Sequence, residues 1–262
     1  MSEARPRSLL LAVPTTGGLM KAGTAESLAN LMKVLTQNGI DADLRNIDGS
    51  DIVTVRNAYA NMVLESDRWD ALLFIDSDMK FAPRVVSRLI QQGAPIAAAA
   101  CTKRDIDLRK FGQAMIEHGD FERARAESSF FNTLIRWDNR RKVRLQRRGG
   151  FYTMAAVGMA VCLIRKAALH LMVERGAVEQ RTDIYDGVAR TSWGFFDFVK
   201  LGKATLTEDY SFCYRWTKLM EQPLWVLVDE PVIHIGDFPY GGRYGHILDR
   251  LAASAPEPKS EG

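Results

Sequence analysis

The chain has 262 residues, 47% apolar and 26% charged, enough for one large α/β domain or two small ones, and it excludes a chain disordered over most of its length. The net charge of +3, from 35 basic and 32 acidic residues, is too small a bias to imply nucleic-acid binding by itself. Cys101, Cys162 and Cys213 are odd in number and far apart, which argues against a disulfide framework and for a reducing, cytoplasmic setting. No apolar run approaches the roughly 20 residues a membrane-spanning helix needs, and the stretch 9–13 is too short for a signal-peptide core.

The first hundred residues alternate strand and helix. The run 8–13 (SLLLAV) reads as a buried strand closed by Pro14. Thr24 suits a helix N-cap, and Leu28, Leu31, Met32 and Leu35 recur at i, i+3, i+4 and i+7, one face of a helix ending at Asn38-Gly39. A second strand follows at 40–47. Ser50 or Asp51 opens a second helix with Ile52, Val55, Tyr59, Met62 and Val63 on one face. The run 71–75 (ALLFI) is apolar throughout, as a strand covered on both faces is. A third helix starts near Pro83, and 95–100 is a fourth strand. The alternation predicts a parallel sheet with right-handed crossovers.

Past residue 104 the rhythm changes. The stretch 105–128 reads as helical and largely polar, 130–137 and 142–146 as short strands, and Gly149-Gly150 as a turn. The small-residue run 154–164 leads through Arg165-Lys166 into a helix ending near Glu174. A loop carrying Trp193, Phe195 and Phe196 precedes a helix over 207–221, a strand at 224–228 and a tail. The expected organisation is a flexible segment 1–7, one domain over 8–250, and a disordered tail 251–262.

In open α/β sheets ligands bind outside the carboxyl ends of the strands. Pro14, Thr15 and Thr16 follow the first strand, Asp76, Ser77 and Asp78 the third, and Lys103 and Arg104 the fourth, converging on one rim. In an extended segment residues i and i+2 point the same way, so Asp76 and Asp78 repel unless a cation lies between them or one takes a proton. Hard oxygen ligands suit Mg²⁺ or Mn²⁺ bridging to a diphosphate. The alternative is a solvated acidic turn capping the helix near Pro83. Glu208 and Asp209 open the late helix, where acids suit the helix dipole. Asp209, however, precedes Phe212, Cys213 and Trp216 by three, four and seven residues and so falls on the buried face, a setting for a general base. His234 among aliphatics reads as structural unless the fold brings it to Asp78. Arg56 and Asn57 read either as surface residues or as nucleotide contacts. The segment 136–148 (RWDNRRKVRLQRR) carries a local charge of about +6; it is either a solvated face or a polyanion contact.

Together these pieces resemble the GT-A glycosyltransferases, in particular small inverting, family-two-like enzymes of bacterial and phage genomes. The segments that carry the resemblance are LLFIDSDMKFAP (72–83), AACTKR (99–104), VGMAVCLIRKAAL (157–169), TEDYSFCYRW (207–216) and HIG (234–236), in order along the chain. Cys101 stands where the family often has tyrosine. The resemblance implies a single Rossmann-like α/β domain with a mostly parallel central sheet flanked by helices and a small antiparallel acceptor-side part. Residues 8–104 would bind the nucleotide and 105–250 the acceptor. It implies Asp78, Asp76 and His234 as ligands of Mn²⁺ or Mg²⁺, and Asp209, supported by Glu208, as the general base. Pro14, Thr15, Thr16, Arg56, Asn57, Ser77, Lys103 and Arg104 would line the site of a nucleotide sugar, a UDP-sugar first among them. The acceptor hydroxyl could belong to modified DNA, a glycan, a lipid or a protein. Two other functions share these residues: a nucleotidyltransferase acting on a sugar phosphate, and a non-catalytic nucleotide- or polyanion-binding module.

Overall fold

The structure is a computed structural model that describes residues 5–138, 145–185, 188–236 and 239–253. The first half contains β1 (Ser8–Thr15), α1 (Ala22–Gln37), β2 (Asp41–Asp48), α2 (Ile52–Glu65), β3 (Ala71–Ile75), β4 (Met79–Phe81), α3 (Arg84–Gln92), β5 (Ile96–Ala99) and β6 (Thr102–Ile106). Then come α4 (Leu108–His118), α5 (Phe121–Ser128), β7 (Ser129–Phe131), β8 (Thr133–Leu134), β9 (Arg147–Arg148), β10 (Phe151–Met154), β11 (Ala156–Val157), β12 (Val161–Arg165) and α6 (Lys166–Glu174). The last part holds β13 (Gln180–Tyr185), β14 (Val188–Trp193), β15 (Lys200–Leu201), β16 (Ala204–Thr205), α7 (Glu208–Tyr214), β17 (Leu224–Leu227), β18 (Val232–Ile235), β19 (Pro239–Gly242) and α8 (Gly245–Ala253). None of the described helices is long and apolar enough to cross a membrane.

The fold is α/β, with a large central sheet ordered β2-β1-β3-β12-β5-β17-β10-β9 and small antiparallel sheets beside it. Neighbouring β2, β1 and β3 run parallel, as do β5 and β17. The alternation in the first hundred residues would put the third and fourth strands side by side. Instead β12 inserts antiparallel between β3 and β5. Successive β1 residues feed opposite faces: Leu10 and Ala12 pack toward Val55, Tyr59 and Val63 of α2, while Leu9, Leu11 and Val13 pack toward Leu28, Leu31 and Leu35 of α1. Phe74 meets Phe196 edge-on (5.5 Å), and Phe196 stacks on Phe212 at 4.7 Å, carrying the first core across to α7. Each fully buried side chain of this size contributes about 1.5–3 kcal/mol of transfer free energy.

Several boundaries differ from the sequence expectation for identifiable reasons. β1 continues through Pro14 to Thr15, because its pairing with β3 ends at Ala12 and Pro14 pairs only with β2. The N-cap of α1 is Lys21, not Thr24, which is buried inside the helix. Asp51 caps α2 as expected, accepting from Val53 N and Thr54 N. The helix expected over 105–128 is three elements: β6 reaches Ile106, Asp107 caps α4, and Gly119, in the left-handed region at φ 60°, ends α4 before Asp120 caps α5. The expected strand 130–137 is two short ones, β7 and β8. Most of 142–146 lies outside the described residues. The aromatic loop leaves a hairpin, β13–β14, and the late helix passes into a π-helical turn at Arg215–Leu219. Where a tail was expected, α8 runs to Ala253; residues 254–262 lie outside the described residues.

Candidate active site

A cleft of about 490 Å³ opens at the carboxyl ends of β1, β2 and β3. Pro14, Thr15, Thr16, Ser77, Asp78 and Arg104 line it, so the structure brings these six sequence candidates together. The β1 end of the wall is tied to β2, which sequence reading gave no role here. Thr15 Oγ1 donates to Asn46 Oδ1 (2.7 Å), and Gly18 N donates to Asp48 Oδ1 (2.9 Å). Lys103 is exposed on β6 and does not line this cleft.

Asp76, Ser77 and Asp78 form the turn between β3 and β4. The turn is held by backbone bonds from Asp76 N to Ala160 O, Met79 N to Asp76 O and Lys21 N to Ser77 O. Neither acid caps α3, whose N-cap Pro83 receives no side-chain bond, so the capping alternative falls. Pairing of β4 with β18 sets His234 opposite Met79. That register closes 156 positions of sequence and leaves His234 Nε2 3.0 Å from Asp78 Oδ2. The other ring nitrogen, Nδ1, donates to the Thr102 carbonyl at 2.8 Å. Since a carbonyl only accepts, Nδ1 carries a proton, and in the neutral ring the Nε2 lone pair faces a carboxylate oxygen. Two electron pairs so placed require either a proton shared between ring and carboxylate or a cation between them. Burial works to lower the pKa of His234, but the bonds to Asp78 and Thr102 and the charge of Asp78 outweigh it, and the net shift is upward. Arg104 Nη1 lies 3.7 Å from the same Asp78 oxygen.

Arg56 and Asn57 are not surface residues; they are 3% and 1% exposed. Helix α2 packs against the central sheet on one side and against the β13–β14 hairpin on another, which leaves these positions no face to water. Asn57 Nδ2 donates to Asp197 Oδ1 (2.7 Å) and its Oδ1 accepts from Phe196 N (2.8 Å), fixing the loop that presents the stacked phenylalanines. Arg56 Nη2 lies 3.1 Å from Asp76 Oδ1, its Nε 3.7 Å from Glu208 Oε1, and its guanidinium carbon 5.0 Å from the Phe74 ring centre. Burial alone would lower the pKa of Arg56, but Asp76, Glu208 and Asp209 reverse that and push it up. Burial and the neighbouring Asp209, with a smaller push from Asp76, raise the pKa of Glu208, against Arg56.

Asp209 is 7% exposed, on the buried side of the first turn of α7, as its spacing to Phe212 and Trp216 required. Its Oδ1 accepts from Tyr210 N (2.7 Å) and from the Thr207 hydroxyl; its Oδ2 accepts from Asn132 Nδ2 (2.9 Å). Asn132 escaped sequence reading. It is placed by its own backbone, whose N donates to Cys101 O and whose carbonyl accepts from Gly158 N. A Cβ on Gly158 would stand 2.3 Å from Asn132 Nδ2, so the glycine in the 154–164 run leaves room for the asparagine that aims Asp209. In the basic segment, Arg147 and Arg148 are exposed on β9 and Arg136 is half-buried; Arg140, Arg141 and Arg144 lie outside the described residues.

No protein-family model matches the chain, and no curated protein matches it. Among solved structures it is similar to A197 from STIV at 13% identity, covering 87% of this chain and 86% of that one, with a TM-score of 0.46. A GalNAc-T7 solved with UDP, GalNAc and Mn²⁺ aligns at 10% identity over 89% of this chain and 44% of its own, TM-score 0.40. A mutant Drosophila β-1,4-galactosyltransferase 7 solved with manganese, UDP-Gal and xylobiose aligns at 10% identity over 97% and 78%, TM-score 0.41.

Proposed function

We propose that this protein is a metal-dependent glycosyltransferase that moves a sugar from a nucleoside-diphosphate sugar, a UDP-sugar in the first instance, to a hydroxyl acceptor with inversion at the anomeric carbon. The observation that carries the reading is the Asp78–His234 pair on the rim of the cleft, with Nδ1 of the imidazole committed to Thr102. Among the described residues no group of three or more His, Cys, Asp or Glu forms a complete metal cage. Mg²⁺ and Mn²⁺ at nucleotide sites need none, since one or two protein groups suffice when phosphate oxygens and water supply the rest. One carboxylate and one imidazole, converging where a lone pair already faces an anion, fit that requirement. Asp78 and His234 would hold the ion, and Asp76 would contact it or the ribose. When bound, such an ion offsets the charge that builds on the leaving diphosphate.

The protein's own residues divide the remaining work. Thr16, Ser77 and Arg104 offer donors to the nucleotide along the cleft wall, which Pro14 and Thr15 shape. Asp209, oriented by Asn132 and Thr207, takes the proton of the acceptor hydroxyl, with Glu208 beside it. Residues 8–104 supply the donor side and 105–250 the acceptor side. Titration calorimetry of UDP with and without Mn²⁺ tests the assignment. Wild-type protein gains affinity on adding Mn²⁺, and Asp78→Ala loses that gain while staying folded, because Asp78 sits on a rim and not in the core. A variant that still gains affinity with Mn²⁺ overturns the metal site.

A further inference from the structure

Arg56 is the most buried cation near the site, and its bonding is incomplete. Nη2 engages Asp76, but Nε and Nη1 are shielded from solvent and make no hydrogen bond. Nε stands 3.7 Å from Glu208, close enough for charge attraction and too long for a hydrogen bond. A guanidinium that only filled space in a core would leave such donors at a cost of about 1–3 kcal/mol each. The cost is offset by where the cation stands. Asp76 belongs to the β3–β4 turn on the donor side; Glu208 opens α7 on the acceptor side. These two carboxylates make no hydrogen bond to each other, and Arg56 contacts both.

We propose that Arg56 is a positioning residue that couples the two halves of the site: it sets the spacing between the Asp76 turn and the first turn of α7, so that a change in one carboxylate is felt at the other chiefly through its guanidinium. This rests on the transferase reading for its consequence in turnover but not for the coupling itself. The planar fork holds its donors in a fixed geometry toward two partners, which a compact lysine ammonium on a flexible stem does not. Phe74 fixes the fork from one face, and the remaining donors leave Nε free to shorten toward Glu208. Neither Glu208 nor Asp76 lines the cleft, but Asp76 adjoins Ser77 and Asp78, which do, so contacts through Arg56 and the Asp76 turn connect Glu208 to it.

The test compares wild type, Glu208→Gln, Asp76→Asn, their double variant, Arg56→Lys and Arg56→Gln, with the Glu208→Gln and Asp76→Asn changes also made, singly and together, in the Arg56→Gln background. The probes are Mn²⁺-dependent UDP affinity by calorimetry, UDP release from UDP-glucose and UDP-galactose, and the melting midpoint without ligand. Glu208→Gln should shift UDP affinity at least about threefold when Arg56 is present and by clearly less in Arg56→Gln. Arg56→Lys, folded and keeping the charge, should lower turnover about 10²-fold, the scale of a misplacement of about 1 Å, with a smaller change in UDP affinity. Glu208→Gln acting equally in both backgrounds, or leaving affinity unchanged in both, overturns the coupling. Should wild type bind no UDP with Mn²⁺, the transferase reading falls. The coupling is then read from melting midpoints, where non-additivity between Asp76→Asn and Glu208→Gln must shrink once Arg56 is replaced; undiminished non-additivity rejects it.

Discussion

Asp209 receives three donors, from Thr207, Tyr210 and Asn132, and each restrains the carboxylate without touching the nucleotide cleft. Asp209→Asn keeps the shape and removes the proton acceptor, and loss of a general base costs roughly 10²–10⁴-fold in rate. Turnover should fall by that much while Mn²⁺-dependent UDP affinity stays near wild type; turnover within about threefold of wild type, or retention of the donor's anomeric configuration, removes Asp209 from the mechanism. Much of this site is legible at the level of single residues. Asp76 and Asp78 stand out because two acids at i and i+2 directly follow an all-apolar strand. The buried side of Asp209 follows from its spacing to Phe212 and Trp216. His234 is singled out by resemblance, since a lone histidine among aliphatics carries no signal until β4–β18 pairing brings it to Asp78. Arg56 misleads for a physical reason: an arginine on a helix flank reads as solvated, and its burial depends on carboxylates 20 and 152 positions away. Asn132 has no local signature, because its neighbours Cys101, Gly158 and Asp209 meet only in the folded chain.

Elements are joined around the cleft by side chains that act as backbone partners. Tyr59, in the middle of α2, accepts from Ile47 N at 2.6 Å and directs its hydroxyl proton to the Arg45 and Val13 carbonyls. It thereby ties α2 to the ends of β1 and β2 that form the cleft wall. Burial pushes its phenol pKa up to about 12, against the two backbone bonds. Tyr59→Phe keeps the ring and strands Ile47 N in a partly buried place, which costs about 1–3 kcal/mol. Urea unfolding should show a lower midpoint with an unchanged m-value; an unchanged midpoint means water replaces the hydroxyl. Element identity is easier to read than element direction. Apolar periodicity finds β1, β3, β5, α1 and α2 within a residue or two. It is blind to whether a strand runs parallel or antiparallel, and so it misses β12 entering between β3 and β5. Helix breaks are equally quiet: 105–128 has a continuous helical composition, and only Gly119 between two capping aspartates, Asp107 and Asp120, divides it.

For the molecule as a whole, the Asp78–His234 pair links stability to pH. A raised pKa means that the folded protein favours the protonated ring of His234. Its contribution to stability is therefore fully present below the unfolded value of 6.5 and is lost as pH rises through the higher folded value. A divalent ion at Asp78 and His234 competes with that proton, because both need the Nε2 lone pair. Without ligand, the melting midpoint should drift down from pH 6 to pH 9, and His234→Gln should flatten the drift. With Mn²⁺ and UDP the order reverses, since binding to the native state alone stabilises by about 2.7 kcal/mol at a ligand concentration 100 times Kd. For a chain of about this size that amounts to a rise of roughly 5–10 °C, and it should grow between pH 6 and pH 8 as the proton leaves. Scanning calorimetry or a dye-based melt across that range reads both trends. Asp78→Ala should lose the Mn²⁺-dependent rise, whereas Asp209→Asn should keep it, because the proposed function assigns donor binding and proton abstraction to different residues. An equal rise with UDP plus EDTA would show that nucleotide binding does not pass through the ion, and the proposed division of labour between Asp78, His234 and Asp209 would have to be abandoned.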